Sequence, residues 1–151
     1  MSLEDEIAML ARLPVLSELD EEALRVLAFS TDTRTLATGE TLVRRGDRSE
    51  GGFFVLSGSL ALYRNDLDDG SAMVISMGGL LGEMAMIAVT ENQVTAIARE
   101  PTSVLRIPRA LFQRVLREYP GSAARLRQSI ENQLTAFMGK LDKLREKTPE
   151  N

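Results

Sequence analysis

Apolar residues recur at helical spacing at both ends of the chain and in short bursts between turns in its middle. Near the start, Ile7, Leu10 and Ala11, then Ala23, Leu24 and Leu27, follow three- and four-residue steps. That spacing puts each set on one helix face and predicts helices over 4–13 and 20–29, separated by Pro14. Asp20 is placed to cap the second, setting an acceptor over the free amides of its first turn. From 31 to 107 the period changes. Short apolar stretches at 33–37, 41–44, 52–56, 59–64, 72–77, 94–98 and 103–107 are separated by turns. Nine of the eleven glycines fall between Gly39 and Gly82, as in a sandwich or barrel of short strands. Asp69-Gly70 is a hairpin signal, because a type I′ turn needs positive φ at both central positions. After Pro108 the helical period returns with Leu111, Phe112, Val115 and Leu116, until Pro120-Gly121 breaks it.

The last helix carries Ile130, Leu134, Phe137, Leu141 and Leu144 at 4-3-4-3 spacing, with Ala123 one heptad earlier. A narrow seam of this kind buries itself against a copy of itself or against its own sheet, and the first option predicts a homodimer. Gly139 weakens this helix by about 1 kcal/mol relative to Ala. The layout predicts a single domain over 1–147. It has N-terminal helices (1–30), a double-stranded β-helix or jelly roll (31–107), C-terminal helices (108–147) and a tail (148–151). The fold class is mainly β with flanking helices, the long helix at the C-terminal end.

Composition narrows the chemistry. The 151 residues include no cysteine and no histidine. This excludes disulfides, thiolate metal sites, Ser-His-Asp triads and histidine-based zinc sites. Asp66, Asp68 and Asp69 cluster, but a calcium loop wants a later glycine and a glutamate where Met77 stands. No metal site, no cofactor and no catalytic residue is expected, so the chain reads as a non-enzyme. With 18 basic against 22 acidic residues it shows no nucleic-acid footprint. The acidic start is unlike a signal peptide, and the longest apolar run, 84–89, is far short of the roughly 20 residues a membrane span needs. The expectation is a cytoplasmic protein with no membrane contact.

The segment with the most unusual chemistry is Gly78-Gly79-Leu80-Leu81-Gly82-Glu83-Met84-Ala85-Met86. Its glycines allow tight turns and close approach to a ligand. A helix beginning near Glu83 would point free amides into the same space and favour an anion. Glu83 is a lone acid in an apolar stretch. It is either a carboxylate held for a ligand hydroxyl or a helix-start acid that satisfies its own backbone amides.

Several segments together resemble the cyclic-nucleotide-binding domain. The resemblance covers about residues 10–135. It is carried by 13–17 with Leu24 and Leu27, by Gly39-Glu40-Thr41-Leu42-Val43-Arg44-Arg45-Gly46-Asp47, by Phe54-Val55-Leu56-Ser57-Gly58-Ser59-Leu60, by Leu81-Gly82-Glu83-Met84-Ala85-Met86, by Thr95 with Ala98, and by 108–120. The family implies a jelly roll and a phosphate-binding cassette from Gly82 to about Ala98. In it Glu83 takes a ribose 2′-hydroxyl, and the amides of Gly82, Glu83, Met84 and Ala85 meet a cyclic phosphate. A C-terminal helix then relays occupancy to a partner. Gln93 and Thr95 fall within the implied site.

Two departures qualify the implication. Three residues before Thr95 the family carries arginine, and this chain has Asn92, with Glu91 beside it. Losing one member of a buried charge pair costs about 2–5 kcal/mol, roughly 30-fold or more in affinity. The pocket therefore takes cAMP or cGMP weakly, takes another small ligand, or takes none and serves as a scaffold for interaction and dimerisation. The family's bacterial regulators also carry a winged helix after the long helix, and none follows here, so direct DNA binding is not expected.

Overall fold

The computed structural model describes residues 2–64 and 73–147. The chain opens with helix α1 (Leu3–Leu10), a short 3-10 helix (Leu16–Glu18) and α2 (Glu21–Ser30). Ser2 caps α1 through a reciprocal pair: its Oγ accepts from the Asp5 amide at 3.2 Å, and its own amide donates to the Asp5 carboxylate at 3.3 Å. Eight strands follow: β1 (Asp32–Leu36), β2 (Thr41–Val43), β3 (Gly51–Ser57), β4 (Ser59–Tyr63), β5 (Met73–Ser76), β6 (Leu80–Leu81), β7 (Thr95–Ala98) and β8 (Thr102–Pro108). Helices α3 (Arg109–Glu118) and α4 (Pro120–Lys147) close the order.

The strands form two antiparallel four-stranded sheets, ordered β1-β8-β3-β6 and β2-β7-β4-β5. The mainly β, jelly-roll-like architecture is as expected. All seven expected strands are present within a residue or two, and β6 is an addition. The Asp69-Gly70 hairpin lies outside the described residues, as do Asp66 and Asp68. The strands on either side of it pair antiparallel, Leu62 opposite Met73 and Ser59 opposite Ser76.

Two cores share the first sheet. Its inner face, with Val55 of β3 and Val104 of β8, meets Leu36, Leu42, Leu60, Leu62, Ala96 and Ala98 in the sandwich interior. Its outer face, with Phe54, Leu56, Leu105 and Ile107, is covered by the helices through Leu10, Leu16, Leu24, Leu27, Phe112 and Val115. Strands β3 and β8 are therefore buried on both faces, which is why they read as near-continuous apolar runs instead of alternating ones.

The helix ends differ from the sequence expectation at Asp20. Asp20 stands at the N-cap of α2 but makes no side-chain cap. Its carboxylate is taken by the Arg125 guanidinium of α4, and its amide donates to Ser122 Oγ at 2.9 Å. The break expected at Pro120-Gly121 is present: α3 ends at Glu118, Tyr119 leaves the helical conformation, and α4 opens at Pro120, where proline's missing amide costs nothing. The start of α4 is thus latched to the first helices, with Arg125 Nε also donating to the Glu18 carbonyl at 3.1 Å. Beyond Leu126 and the half-buried Ile130, the helix leaves the core and its side chains from 131 to 144 are exposed. No helix among the described residues is long and apolar enough to cross a membrane.

The latch makes a measurable claim. Ser122 is fully buried, so Ser122→Ala removes the acceptor of the Asp20 amide and should cost about 1–2 kcal/mol in urea denaturation. An unchanged midpoint would show that the amide needs no protein partner.

Candidate functional site

The glycine-rich segment lies against the entry to β3. Gly82 has φ of +82°, and a Cβ there would stand 3.0 Å from the Gly51 carbonyl oxygen. Both facts restrict the position to glycine. The chain then makes one turn of 3-10 helix, Met84–Met86, with Ala85 and Met86 buried. The helix end expected near Glu83 is reduced to this single turn, too short for an appreciable dipole. The Ala85 amide, expected to meet a phosphate, donates to the Gly82 carbonyl at 3.0 Å. Glu83 occupies the cap position yet makes no capping hydrogen bond. Of its two readings, the self-satisfied helix acid is therefore not what forms.

Facing this turn is the arm 90–94, pinned by the loop between β2 and β3. The Ser49 amide donates to the Thr90 carbonyl at 2.8 Å, and the Asn92 amide to the Asp47 carbonyl at 2.8 Å. The Gly46 amide returns a bond to the Asn92 carbonyl at 2.9 Å. The Asn92 side chain donates through Nδ2 to the Arg44 carbonyl at 3.1 Å. Between turn and arm is a cavity of about 610 Å³, within the usual range for small-ligand sites. Gly82, Glu83, Met84, Ala85, Asn92 and Gln93 all border it. Thr95 does not. Its hydroxyl accepts from the Arg45 amide at 3.0 Å, and it borders a separate trough of about 780 Å³ with Arg44, Arg45 and Tyr63.

The cavity wall is mostly apolar, with Phe53, Leu62, Leu80 and Leu81 at its back. Its charged members are Glu83 and Glu91, and no lysine or arginine borders it among the described residues. A structural cation lies behind the turn. Arg109, the first residue of α3, donates through Nη1 to the carbonyls of Ser49 (3.1 Å), Ala85 (3.1 Å) and Ala88 (3.3 Å). It ties the turn to the β3 entry and to α3. Sequence reasoning passed over it, although a signal existed: a cation at a helix N-terminus opposes the dipole and implies a partner elsewhere. No group of His, Cys, Asp or Glu suited to a metal occurs among the described residues.

A double sheet with a glycine turn and an arm enclosing a small cavity is the architecture of a ligand-binding-domain class. The family model for the cyclic nucleotide-binding domain matches residues 33–119, and the chain belongs to that family. The fold is similar to a cyclic nucleotide-binding-like protein from Brucella abortus, at 32% identity and a TM-score of 0.69, covering 75% of this chain and 98% of that one. It is also similar to the N-terminal domain of a transcriptional regulator from Streptomyces coelicolor, at 26% identity and a TM-score of 0.78, covering 87% and 93%. Among curated relatives, Lysophospholipase nte1 of Neurospora crassa is 28% identical over 134 residues, a stretch that is 87% of this chain and 9% of that protein.

Removing the clamp behind the turn should loosen it. Arg109→Met leaves three carbonyls without their donor and should cost about 2 kcal/mol, roughly 4–8 °C in melting temperature. Arg109→Lys should recover only part of this, because its ammonium offers three donors but on a shorter side chain than the one carrying the guanidinium Nη1. Equal stability of both variants with the parent would show that Arg109 holds nothing.

Proposed function

We propose that the chain is a non-enzymatic regulatory domain, one unit over 1–147, whose cavity receives a small ligand of the cyclic-nucleotide type. The carrying observation is the cavity itself, of about 610 Å³, with the uncapped Glu83 in its wall. Glu83 is the group suited to a ligand hydroxyl. The phosphate end is divergent. Asn92 has its side-chain amide committed to the Arg44 carbonyl, brings no positive charge, and stands next to Glu91. cAMP and cGMP are therefore weak ligands of the unmodified chain.

Titration calorimetry with cAMP and cGMP tests this. Asn92→Arg should tighten binding by roughly 30-fold or more, since it restores the partner of a desolvated charge. Glu83→Ala in that background should weaken it again. If Asn92→Arg binds no better than the parent, the cavity is not a cyclic-nucleotide site.

A second reading has its own observation. Leu134, Phe137 and Leu141 of α4 are 59%, 57% and 37% exposed and continue the heptad steps from the half-buried Ile130; Leu144 extends the same seam. The occupant that fits such a seam is a second copy of α4, with the jelly roll as scaffold. Sedimentation equilibrium at tens of micromolar should give a dimer, and Leu134→Asp with Leu141→Asp should give a monomer. A monomeric parent, or a dimer that survives both substitutions, ends this reading.

A further inference from the structure

A basic groove opens on the far side of the arm. It has a volume of about 550 Å³, and Arg34, Arg44, Arg48 and Arg106 stand in its wall against Asp47 and Glu50. It is not separate from the cavity. Val43, Ser49, Gly51, Phe53 and Asn92 border both volumes, so the two adjoin along a shared rim. The arginines are not equivalent. Arg34 is paired with Glu40 at 3.6 Å and Arg106 with Glu50 at 3.3 Å. Arg44 and Arg48 form no ion pair with any described residue. Both sit on the loop that the arm holds in place through Gly46, Asp47, Ser49 and Asn92.

Resting on the ligand-binding reading above, we propose that the anionic part of this domain's ligand is held outside the cassette, by Arg44 and Arg48. The ligand is then an elongated amphipathic anion. Its apolar body lies in the cavity, and its carboxylate, sulfonate or phosphate reaches past Asn92 into the groove. The charge distribution carries the proposal. A compact anion seated on the glycine turn meets two carboxylates, Glu83 and Glu91, and no cation in the cavity wall. The same apolar body with its charge displaced toward the groove meets two arginines that lack acidic partners. Guanidinium groups are suited to that role, since they offer paired donors to an oxyanion.

Two fluorescent probes separate body from charge. Anilinonaphthalene sulfonate carries an aromatic body and one anionic group; N-phenylnaphthylamine carries the same body without it. The parent should bind both, and the sulfonate about tenfold more tightly than R44Q/R48Q does. N-phenylnaphthylamine should bind the parent and that variant alike. Met84→Trp and Val94→Trp, two independent ways of filling the cavity, should weaken both probes. The proposal is overturned if R44Q/R48Q leaves sulfonate binding unchanged, or if it weakens both probes equally. It is also overturned if sulfonate binding survives both cavity-filling variants and is lost in L134D/L141D, which would place the probe on the α4 seam. The two readings fail separately. A gain in cAMP affinity in Asn92→Arg, with no effect of R44Q/R48Q on either cAMP or the sulfonate, keeps the cyclic-nucleotide site and removes the groove. An arginine-dependent sulfonate site with no gain in Asn92→Arg does the reverse.

Discussion

Backbone contact at the entry to β3 is the constraint on which the rest of the structure depends. A Cβ at Gly51 would lie 2.1 Å from the Ile107 carbonyl oxygen, and one at Gly52 would lie 2.9 Å from Met86 Cγ. Three segments distant in sequence thus approach more closely than side chains permit: β3, the end of β8 and the 82–86 turn. Fixing them together fixes the back of the cavity. It also fixes where α3 begins, because Arg109 follows directly from β8 and returns its guanidinium to the same turn. The apolar cores supply most of the stability, but this junction determines where the turn sits on the sheet.

The cavity's charge follows from which residues were free to face it. Arginines are plentiful in the loop between β2 and β3, yet that loop turns its backbone toward the arm and its guanidinium groups outward. Asn92 is short enough to bond a carbonyl of the same loop, so it serves as a strut between loop and arm. A longer cationic side chain at that position could reach beyond this carbonyl toward the space between arm and turn. Asn92 therefore brings no positive charge to the cavity and braces the rim that the cavity and the basic groove share.

The strands were legible because glycine turns bracket short apolar runs, and the β3 and β8 runs were legible because burial on both faces leaves no polar alternation. Strand β6 was hidden. Two leucines in a glycine-rich stretch carry no period, and only pairing with Phe53 and Phe54 makes them a strand. Asp20 was read as a cap from local chemistry, but a guanidinium from over a hundred residues away outcompeted the backbone amides for its carboxylate. The site was half legible. Motif and spacing brought Gly82 to Ala85 and Asn92 with Gln93 to one cavity, while Thr95 faces the outer trough. Along a strand successive side chains alternate between faces, and Ala96 and Ala98 fill the sandwich interior, which turns Thr95 away from it. Arg109 was marked only by its charge at a helix start; its partners are carbonyls, which sequence does not display.

Helix α4 divides at Ile130, and the division bears on how occupancy of the cavity would be felt elsewhere. Its first turns are latched by Ser122, Arg125 and Leu126, and its remainder has no place in either core. Between these parts and the cavity lies a cleft of about 600 Å³ bordered by Ile87 after the turn, Leu116 of α3, and Ala123 and Ile130 of α4. A fully packed interface would resist rearrangement, because close-packed interiors switch between discrete arrangements and do not deform smoothly. The apolar cleft at this joint leaves α3 and α4 less than fully packed on one another. Arg109 connects that joint to the turn, so a ligand that moves Ala85 or Ala88 also moves the donor at the start of α3. For a signal to result, the ligand must bind one arrangement more tightly than the other. Contacts made on the turn satisfy that requirement directly. Contacts made to the loop arginines reach the same joint by another route, because the Ser49 and Glu50 carbonyls of that loop accept from Arg109.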